Sequence, residues 1–310
     1  MSVSNDTRVT QFILLGLTSD PDLQRMFFGL CLMMYLLNVA GNLLIVVTIC
    51  VDSQLHTPMY FFLSNLSLLD LGVATLAVPK SLFNFVSQSK TISFNDCIAQ
   101  VFFFHFIEGA ECFHLVLMAY DRYVAIYNPL RYVRIMNTRA CLLLVVSTWA
   151  GGFIHGLAQS FPVVYLPYCG PNEINNFFCD AHPLSLLACS STYLTEIADM
   201  INSGILTLGC FLVVFISYAY IIATVLKIRS AEGRQKAFST CASHLLVVIL
   251  FFGPLIFMYM RPSVTFVGDK MVACFYTVVT PVLNPFIYTL RNEKMKKAMK
   301  RLIDRKMSLL

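Results

Sequence analysis

Seven long runs of apolar residues, separated by short polar segments, dominate the pattern of the chain. A helix needs about 20 mostly apolar residues to cross a bilayer. Five runs carry no Asp, Glu, Lys or Arg, whereas the second contains Asp70 and the third contains Glu108 and Glu111. The pattern predicts membrane-spanning helices, which we call spans one to seven, at Met26–Val51, Pro58–Val78, Cys97–Tyr120, Ala140–Phe161, Met200–Leu226, Ala237–Met260 and Met271–Leu290.

These runs predict an all-α membrane protein in which seven spans form one bundle. A transmembrane β-barrel would show short alternating strands instead. Composition agrees, because the 310 residues are 57% hydrophobic and 13% charged, too apolar for a soluble domain. The chain has no internal repeat and no low-complexity segment. We therefore expect one domain over 1–310, with an extracellular terminus at 1–25, spans and loops at 26–290 and a cytoplasmic tail at 291–310.

The basic residues predict the orientation of the bundle. Sixteen of the 22 Lys and Arg residues lie at one set of helix ends and loops, which the positive-inside rule assigns to the cytoplasm. The net charge of +5 is therefore a property of the inner face and not evidence for a nucleic-acid partner. Asn5, in the sequon Asn5-Asp-Thr7, is then a candidate glycosylation site outside. No cleavable signal pattern precedes the first span, which we expect to direct insertion itself.

Two motifs are typical of switches. The apolar pattern of the third span stops at Asp121-Arg122. An ion pair where a membrane helix emerges can hold one arrangement and be released to another, although charges at helix ends are common. Pro129 is expected to end this helix soon afterwards. In the seventh span, Asn284-Pro285 is expected to free backbone carbonyls and leave a bend.

Polar residues also occur deep in the bilayer, where a charge costs about 2.5–3.5 kcal/mol on insertion scales. Counting about 1.5 Å per residue from the helix ends places Asn42, Asp70, Glu111 and Asn284 in one mid-membrane layer. Gly41, beside Asn42, suits close helix contact and an interhelical hydrogen bond. Two interpretations of the layer stay open: neutralised structural residues, or a switch layer that holds a cation or shares protons.

One face of the third span is a candidate site. His105, Glu108 and Cys112 lie within about 60° of one another, whereas Glu111 faces elsewhere. Three interpretations of Glu108 stay open. It pairs with His105 at i, i+3, it is the counter-ion of an amine-bearing ligand, or it belongs to a metal-assisted site in which His105, Glu108 and His155 hold a soft ion for sulfur ligands.

Four of the 11 cysteines fall at or beyond the outer membrane edge: Cys97, Cys169, Cys179 and Cys189. Four cysteines allow three pairings, and their spacing fits a zinc site poorly. We expect the other seven cysteines to behave as small apolar residues within or near the spans. The loop between the fourth and fifth spans is expected to be long, from Pro162 to Asp199.

Five stretches resemble, in order and spacing, the signatures of odorant receptors of class II, a branch of the rhodopsin-like G-protein-coupled receptors. The resemblance extends over about 10–292. The stretches that carry it are Leu55–Asp70, Met118–Tyr132, Asn176–Asp180, Lys236–Leu245 and Pro281–Asn292.

The resemblance implies an olfactory receptor in the plasma membrane, which binds a small volatile odorant in the outer half of the bundle and activates a stimulatory heterotrimeric G protein, which in turn signals through cyclic AMP. It favours the switch interpretation of the polar layer. It implies the disulfides Cys97–Cys179 and Cys169–Cys189, with the long loop as a lid. The implied ligand-binding residues are Phe104, His105, Glu108, Cys112, Asn202, Ser203, Leu206, Phe252, Tyr259 and Thr277. The implied switch and coupling residues are Asp121, Arg122, Tyr123, Tyr218, Asn284, Pro285 and Tyr288.

The chain also departs from the family pattern. Glu108 stands where a small residue is more usual, and Phe252 replaces a tyrosine. Many related receptors keep an acid at the start of the sixth span, but this chain has only Glu232, outside the span. What restrains Arg122 besides Asp121 is therefore open.

Two other classes of membrane protein fit less well. A transporter or channel would use Asp70 and Glu111 as an ion path, but the sequence shows no inverted repeat. An intramembrane enzyme needs paired catalytic groups, whereas His114 and His244 are isolated and no hydrolase motif is present. We therefore expect no catalytic residue, no resident cofactor or metal, and no nucleic-acid partner. The segment Glu293–Lys306 is expected to form a short amphipathic eighth helix on the inner leaflet.

Overall fold

The computed structural model describes residues 9–87, 89–190, 193–227, 230–260, 268–290 and 292–307. Asn5 lies outside these residues. Seven helices of the described chain are long and apolar enough to cross a membrane, which confirms the predicted architecture. Six of them are Pro21–Val51, Pro58–Ser87, Phe94–Tyr127, Thr138–Val164, Tyr193–Leu226 and Ala231–Tyr259. The seventh joins Asp269–Cys274, a π-helical turn Phe275–Val279 and Thr280–Leu290. A further helix, Glu293–Met307, follows.

Most of these helices extend beyond the predicted apolar runs, and polar side chains cap the start of several of them. Asp20 caps the first helix and accepts a hydrogen bond from the Asp22 amide at 2.8 Å, with Pro21 at the first helical position. The third helix ends at Tyr127, before Pro129, as expected. The predicted bounds of the long loop were wrong, since the fourth helix continues to Val164 and the fifth begins at Tyr193.

A three-stranded sheet, which the apolar pattern did not predict, covers one end of the bundle. Its strands are β1 (Gln11–Leu14), β2 (Thr91–Ser93) and β3 (Glu173–Ile174), in the order β2-β1-β3. Strand β1 pairs antiparallel with β2 and parallel with β3. Phe12 and Leu14 on β1 are buried. The sheet therefore anchors the start of the chain onto the long loop.

The long loop is fastened to the same end of the bundle. Two disulfides, Cys97–Cys179 and Cys169–Cys189, are present as the resemblance implied. Gln100, in the third span, also binds the loop, because its Oε1 accepts a hydrogen bond from the Cys179 amide at 2.9 Å. We call this end, marked by Cys97–Cys179, the disulfide end, and the opposite end the Arg122 end.

The third and fourth spans touch through their backbones. A Cβ on Gly152 would lie 2.4 Å from the Phe106 carbonyl oxygen and 2.5 Å from the Ala110 nitrogen. A Cβ on Gly156 would lie 2.8 Å from the Phe102 carbonyl oxygen. Only glycine permits such an approach, so these two positions determine how closely the side chains of the two spans can meet.

Proline in the seventh span has the predicted consequence. Pro285 cannot donate to the Pro281 carbonyl one turn earlier, and that carbonyl accepts instead from Asn42 Nδ2 at 3.2 Å. A Cβ on Gly41 would lie 3.1 Å from the Pro285 ring. The close contact and the interhelical hydrogen bond predicted for Gly41-Asn42 are therefore confirmed.

The C-terminal helix is amphipathic as predicted, with Met295 and Ala298 buried against the bundle. Its Arg301 forms an ion pair with Asp52 at 2.5 Å. This contact fixes the helix beside the turn that joins the first two spans.

Candidate functional site

His105 lies between two carboxylates in the half of the bundle near the disulfide end. Its Nδ1 is 3.0 Å from Glu108 Oε2, one helical turn away. Its Nε2 is 3.0 Å from Asp180 Oδ1 in the long loop. The Cys97–Cys179 disulfide places Asp180 there, because it ties the preceding residue to the third span. The pair of His105 and Glu108 expected at i, i+3 is present.

Both contacts of His105 need a proton, since a carboxylate only accepts hydrogen bonds. A neutral imidazole supplies one proton and a charged imidazole supplies two. All three side chains are buried. Burial acts to raise the pKa of Asp180, but the hydrogen bonds from His105 and from the Ala181 amide together outweigh it and bring the pKa below its ordinary value. Asp180 is therefore a carboxylate at neutral pH.

Aromatic rings surround the His105 imidazole. The ring centroids of Phe104, His155 and Tyr259 lie 5.6, 5.8 and 6.5 Å from it. Buried polar atoms without a hydrogen-bond partner are concentrated around this group, and a buried unpaired polar atom costs about 1–3 kcal/mol. They are Glu108 Oε1, His155 Nδ1, Asn202 Nδ2, and the hydroxyls of Tyr259 and Tyr276.

Three of these side chains have the geometry of a metal site. Ligand atoms of His105, Glu108 and His155 lie within 4.8 Å of one another, and all three residues are buried. Gly109 makes room for the His155 ring, because a Cβ there would lie 2.9 Å from His155 Cδ2.

The other candidate ligand residues are spread over several environments. Ser203 accepts a hydrogen bond from Gln159, and Thr277 donates within its own helix to the Ala273 carbonyl at 2.7 Å. Cys112 and Phe252 are packed in the main hydrophobic core. Asn202 and Leu206 line a groove of about 860 Å³ between the third and fifth spans, whose other walls include the exposed apolar residues Ile201, Ile205 and Val213.

The mid-membrane layer is connected by hydrogen bonds. Asn284 Nδ2 donates to both oxygens of Asp70, at 2.8 and 3.1 Å. Asn38 Nδ2 donates to the Asp70 carbonyl at 3.3 Å and its Oδ1 accepts from Asn42. Glu111 is buried at a similar depth, but among the described residues it takes no part in these hydrogen bonds.

At the Arg122 end, Asp121 and Arg122 do not form the expected ion pair. Asp121 Oδ1 accepts instead from the Tyr132 hydroxyl at 2.7 Å. Burial, followed by the Asp121 charge, raises the pKa of Tyr132, so its phenol remains a donor. Arg122 has no ion pair among the residues that the structure describes, and its buried Nε has no partner.

The remaining switch candidates differ in their contacts. Tyr218 lies at hydrogen-bond distance, 2.8 Å, from His244 Nδ1. The Tyr288 hydroxyl is buried without a partner. Tyr123 stacks on Tyr127 with a centroid distance of 5.2 Å. Tyr218 and Tyr288 therefore face the interior, whereas Tyr123 packs along its own helix.

Sequence reasoning missed several participants. Asp180 lies 75 residues from His105, and its only signals were its place next to a disulfide cysteine and at the end of the family-like stretch Asn176–Asp180. Tyr132 lay inside the quoted signature but gave no sign that it would bind Asp121. Asn38 lies one turn before Asn42 and was the one omission that helical spacing could have found.

Comparison with known proteins places this chain in a family. A sequence model described as olfactory receptor matches residues 30–306. Human olfactory receptor 4E2 is 52% identical over 98% of this chain and 97% of its own length. Mouse olfactory receptor 4E2 is 53% identical over 99% of both chains, and human olfactory receptor 10G7 is 49% identical over 97% of both. The chain therefore belongs to the olfactory receptor family of multi-pass, G-protein-coupled receptors of the plasma membrane, which detect odorants and are not enzymes.

Proposed function

We propose that a small volatile odorant binds in the disulfide half of the bundle, among the residues that surround His105. The observation that carries this proposal is the cluster of buried polar groups at Glu108, His155, Asn202, Tyr259 and Tyr276, which make no hydrogen bond of normal geometry and in which His155 lies near Asn202 and Tyr259 near Tyr276. An odorant with a polar group would satisfy part of this set, while Phe104 and its aromatic neighbours would contact the apolar remainder. The long loop, with its two disulfides, would close the site from above.

The same proposal assigns signalling to the Arg122 end, which the distribution of Lys and Arg predicts to be cytoplasmic, with the amino terminus extracellular. The Asp121–Tyr132 hydrogen bond leaves Arg122 without a charged partner in the described chain. Arg122 is then available to a partner that enters from this end, which we take to be the carboxyl end of a stimulatory G-protein subunit of the olfactory type. The odorant shifts the equilibrium only through its differential affinity for the two states.

The layer between the two ends would couple them. The Asp70 carboxyl group accepts two hydrogen bonds from Asn284, in the span that carries Pro285. A change in the seventh span would therefore alter the hydrogen bonds of Asp70, which lies between the two ends of the bundle. We propose that the layer shares protons, or holds a cation, as this contact changes.

A reporter screen tests the proposal. Cells that express the receptor and a cyclic-AMP reporter would be exposed to chemically diverse volatiles, with amines and thiols included. Nucleotide exchange on a purified stimulatory G protein would then be measured with Arg122→Ala and with Arg139→Ala, a control that removes an exposed arginine from the same end. We expect loss of exchange for Arg122→Ala alone. Full exchange by Arg122→Ala would refute the coupling role.

A further inference from the structure

We propose that His105, Glu108 and His155 bind one divalent ion of the Zn²⁺ class, and that the ion leaves one coordination position open to the thiol of an odorant. The proposal of a metal site is based on the geometry of the three side chains. The odorant class rests additionally on the proposed function, because it requires ligands to enter the space around His105.

The three side chains form the donor set of an open site. Two imidazoles and a carboxylate are a donor set found in zinc sites that keep a fourth position for water or substrate. Donors at about 2.0–2.2 Å from one ion lie no more than about 4 Å apart, whereas these ligand atoms lie within 4.8 Å of one another. Small side-chain rotations therefore bring them onto one ion.

Two of the donor residues have a polar atom whose hydrogen bonding is not satisfied. Glu108 Oε1 and His155 Nδ1 are buried and make no hydrogen bond of normal geometry, although Asn202 lies close to the His155 ring; the two residues are only 5% and 6% exposed. A structural pair of His105 and Glu108 explains Glu108 Oε2 but leaves both of these atoms unexplained. An ion among the three residues would satisfy both of them.

Asp180 supplies the supporting contact that such sites use. A metal-bound histidine generally gives its other N–H to a carboxylate, which fixes the ring and its tautomer. His105 Nε2 lies 3.0 Å from Asp180 Oδ1. A proton held there leaves the Nδ1 lone pair directed at Glu108, so the ion would replace the proton that otherwise lies between Nδ1 and Glu108.

Charge also favours a dication. When Glu108 and Asp180 are both ionised they carry two negative charges, of which a protonated His105 offsets one, and the nearby Asp199 adds a further carboxyl group. A divalent ion with neutral imidazoles balances both carboxylates. Binding then releases one proton from His105 Nδ1 to the solvent, which gives a readout independent of signalling.

His155 can lie beside His105 because three glycines lack the side-chain atoms that would block this approach. Gly152 and Gly156 bring the backbones of the third and fourth spans together, and Gly109 provides space for the imidazole. A methyl group at Gly109 would lie 2.9–3.2 Å from three carbon atoms of His155. The third donor is thus placed by packing against Gly109, with Asn202 close to its ring.

The open position would select odorants that coordinate the ion. A thiol would bind as the thiolate, with its proton passing to water and no change in oxidation state. Alcohols and esters are weaker ligands for such an ion than thiolates are. The ring of Phe104 and the Tyr259 hydroxyl lie beside His105 and would contact the carbon chain of the odorant.

Metal binding is tested on the whole receptor, purified without a histidine tag and placed in lipid nanodiscs. Co²⁺ would be titrated, its visible absorption recorded, and Zn²⁺ added as competitor. We expect one tightly bound ion with the spectrum of a four- or five-coordinate site. Glu108→Gln and His155→Gln should abolish it, and Asp180→Asn should weaken affinity about 10- to 100-fold.

His114→Gln is the matched control, because His114 is buried in the same span and contacts the Phe62 carbonyl at 2.8 Å, away from the cluster. It should bind Co²⁺ as the unmodified receptor does. The proposal is overturned if no stoichiometric ion binds, or if Glu108→Gln and His155→Gln bind it unchanged. Thermal unfolding of each variant shows that lost binding is not lost folding.

Cell responses then test the odorant class. Thiols should lose potency at least tenfold when a cell-impermeant chelator is added, while neutral odorants should not. Retained thiol potency under the chelator overturns the odorant class. An amine response that requires Glu108, in a receptor that binds no Co²⁺, overturns the proposal in favour of a counter-ion. If neutral odorants also fail to signal while Co²⁺ still binds, the proposed function fails and the metal site stands.

Discussion

Replacing Gly152 with alanine adds one methyl group where the third and fourth spans touch. Its carbon would lie 2.4 Å from the Phe106 carbonyl oxygen and 2.5 Å from the Ala110 nitrogen, whereas ordinary contacts begin at 3.4 Å. Both neighbours are backbone atoms, so no side-chain rotation relieves the overlap. The two helices must separate locally by about 1 Å, a backbone shift of the kind that costs about 1–3 kcal/mol in a packed interior.

Alanine also favours the helix. Relative to glycine it stabilises a helix interior by about 0.5–1 kcal/mol, which offsets part of the overlap. We therefore expect Gly152→Ala to lower the free energy of unfolding by about 0.5–2 kcal/mol, the difference between these two effects. His155, one turn away, would also move from His105.

Gly209→Ala is the matched control. Gly209 lies in the fifth span, and a Cβ there would have no atom within 4 Å. Only the helix preference acts, so we expect this variant to be more stable than the unmodified receptor. Equilibrium unfolding in mixed detergent and SDS, followed by circular dichroism, measures both. If Gly152→Ala proves as stable as Gly209→Ala, the backbone contact does not hold the spans together.

Three further changes address single contacts. Asn42→Ala removes the donor to the Pro281 carbonyl and leaves that carbonyl unpaired, so we expect SDS unfolding to show a loss of about 1–3 kcal/mol. Tyr132→Phe removes the hydrogen bond to Asp121, worth about 1.5–3 kcal/mol for a charged acceptor; Asp121 is then free to pair with Arg122, so basal cyclic AMP should fall several-fold. The pKa of Asp180 is lower in the folded protein than its ordinary value, so its contribution to stability is present at neutral pH and is lost as pH falls below about 4. Asp180→Asn should remove this acid dependence of hydrogen exchange in the long loop.

Each of these changes has its own control. Asn65→Ala removes an amide that donates only within the second helix and should cost less than Asn42→Ala; equal losses would contradict the interhelical role. Tyr120→Phe alters an exposed tyrosine of the third span and should leave basal signalling unchanged. For Asp180, an acid transition that survives in Asp180→Asn would show that another group causes it.

Local pattern was enough to predict the seven spans, the C-terminal helix and the contact of Gly41-Asn42. Each of these follows from rules that act within one helix or at one depth of the bilayer. Backbone groups in lipid must be satisfied inside their own helix, and an amphipathic helix shows its buried face as a fixed spacing of apolar residues. The mid-membrane layer was found in the same way, because depth is set by counting residues.

Tertiary structure alone decided which groups meet. Asp180 reaches His105 through a disulfide and a loop, Tyr132 rather than Arg122 holds Asp121, and β1 pairs with strands far along the chain. Nothing in the local pattern indicated which backbone atoms Gly152 would meet. Periodicity records how a residue faces its own helix, whereas a contact between distant segments depends on how closely whole helices approach. The site around His105 is a product of those approaches.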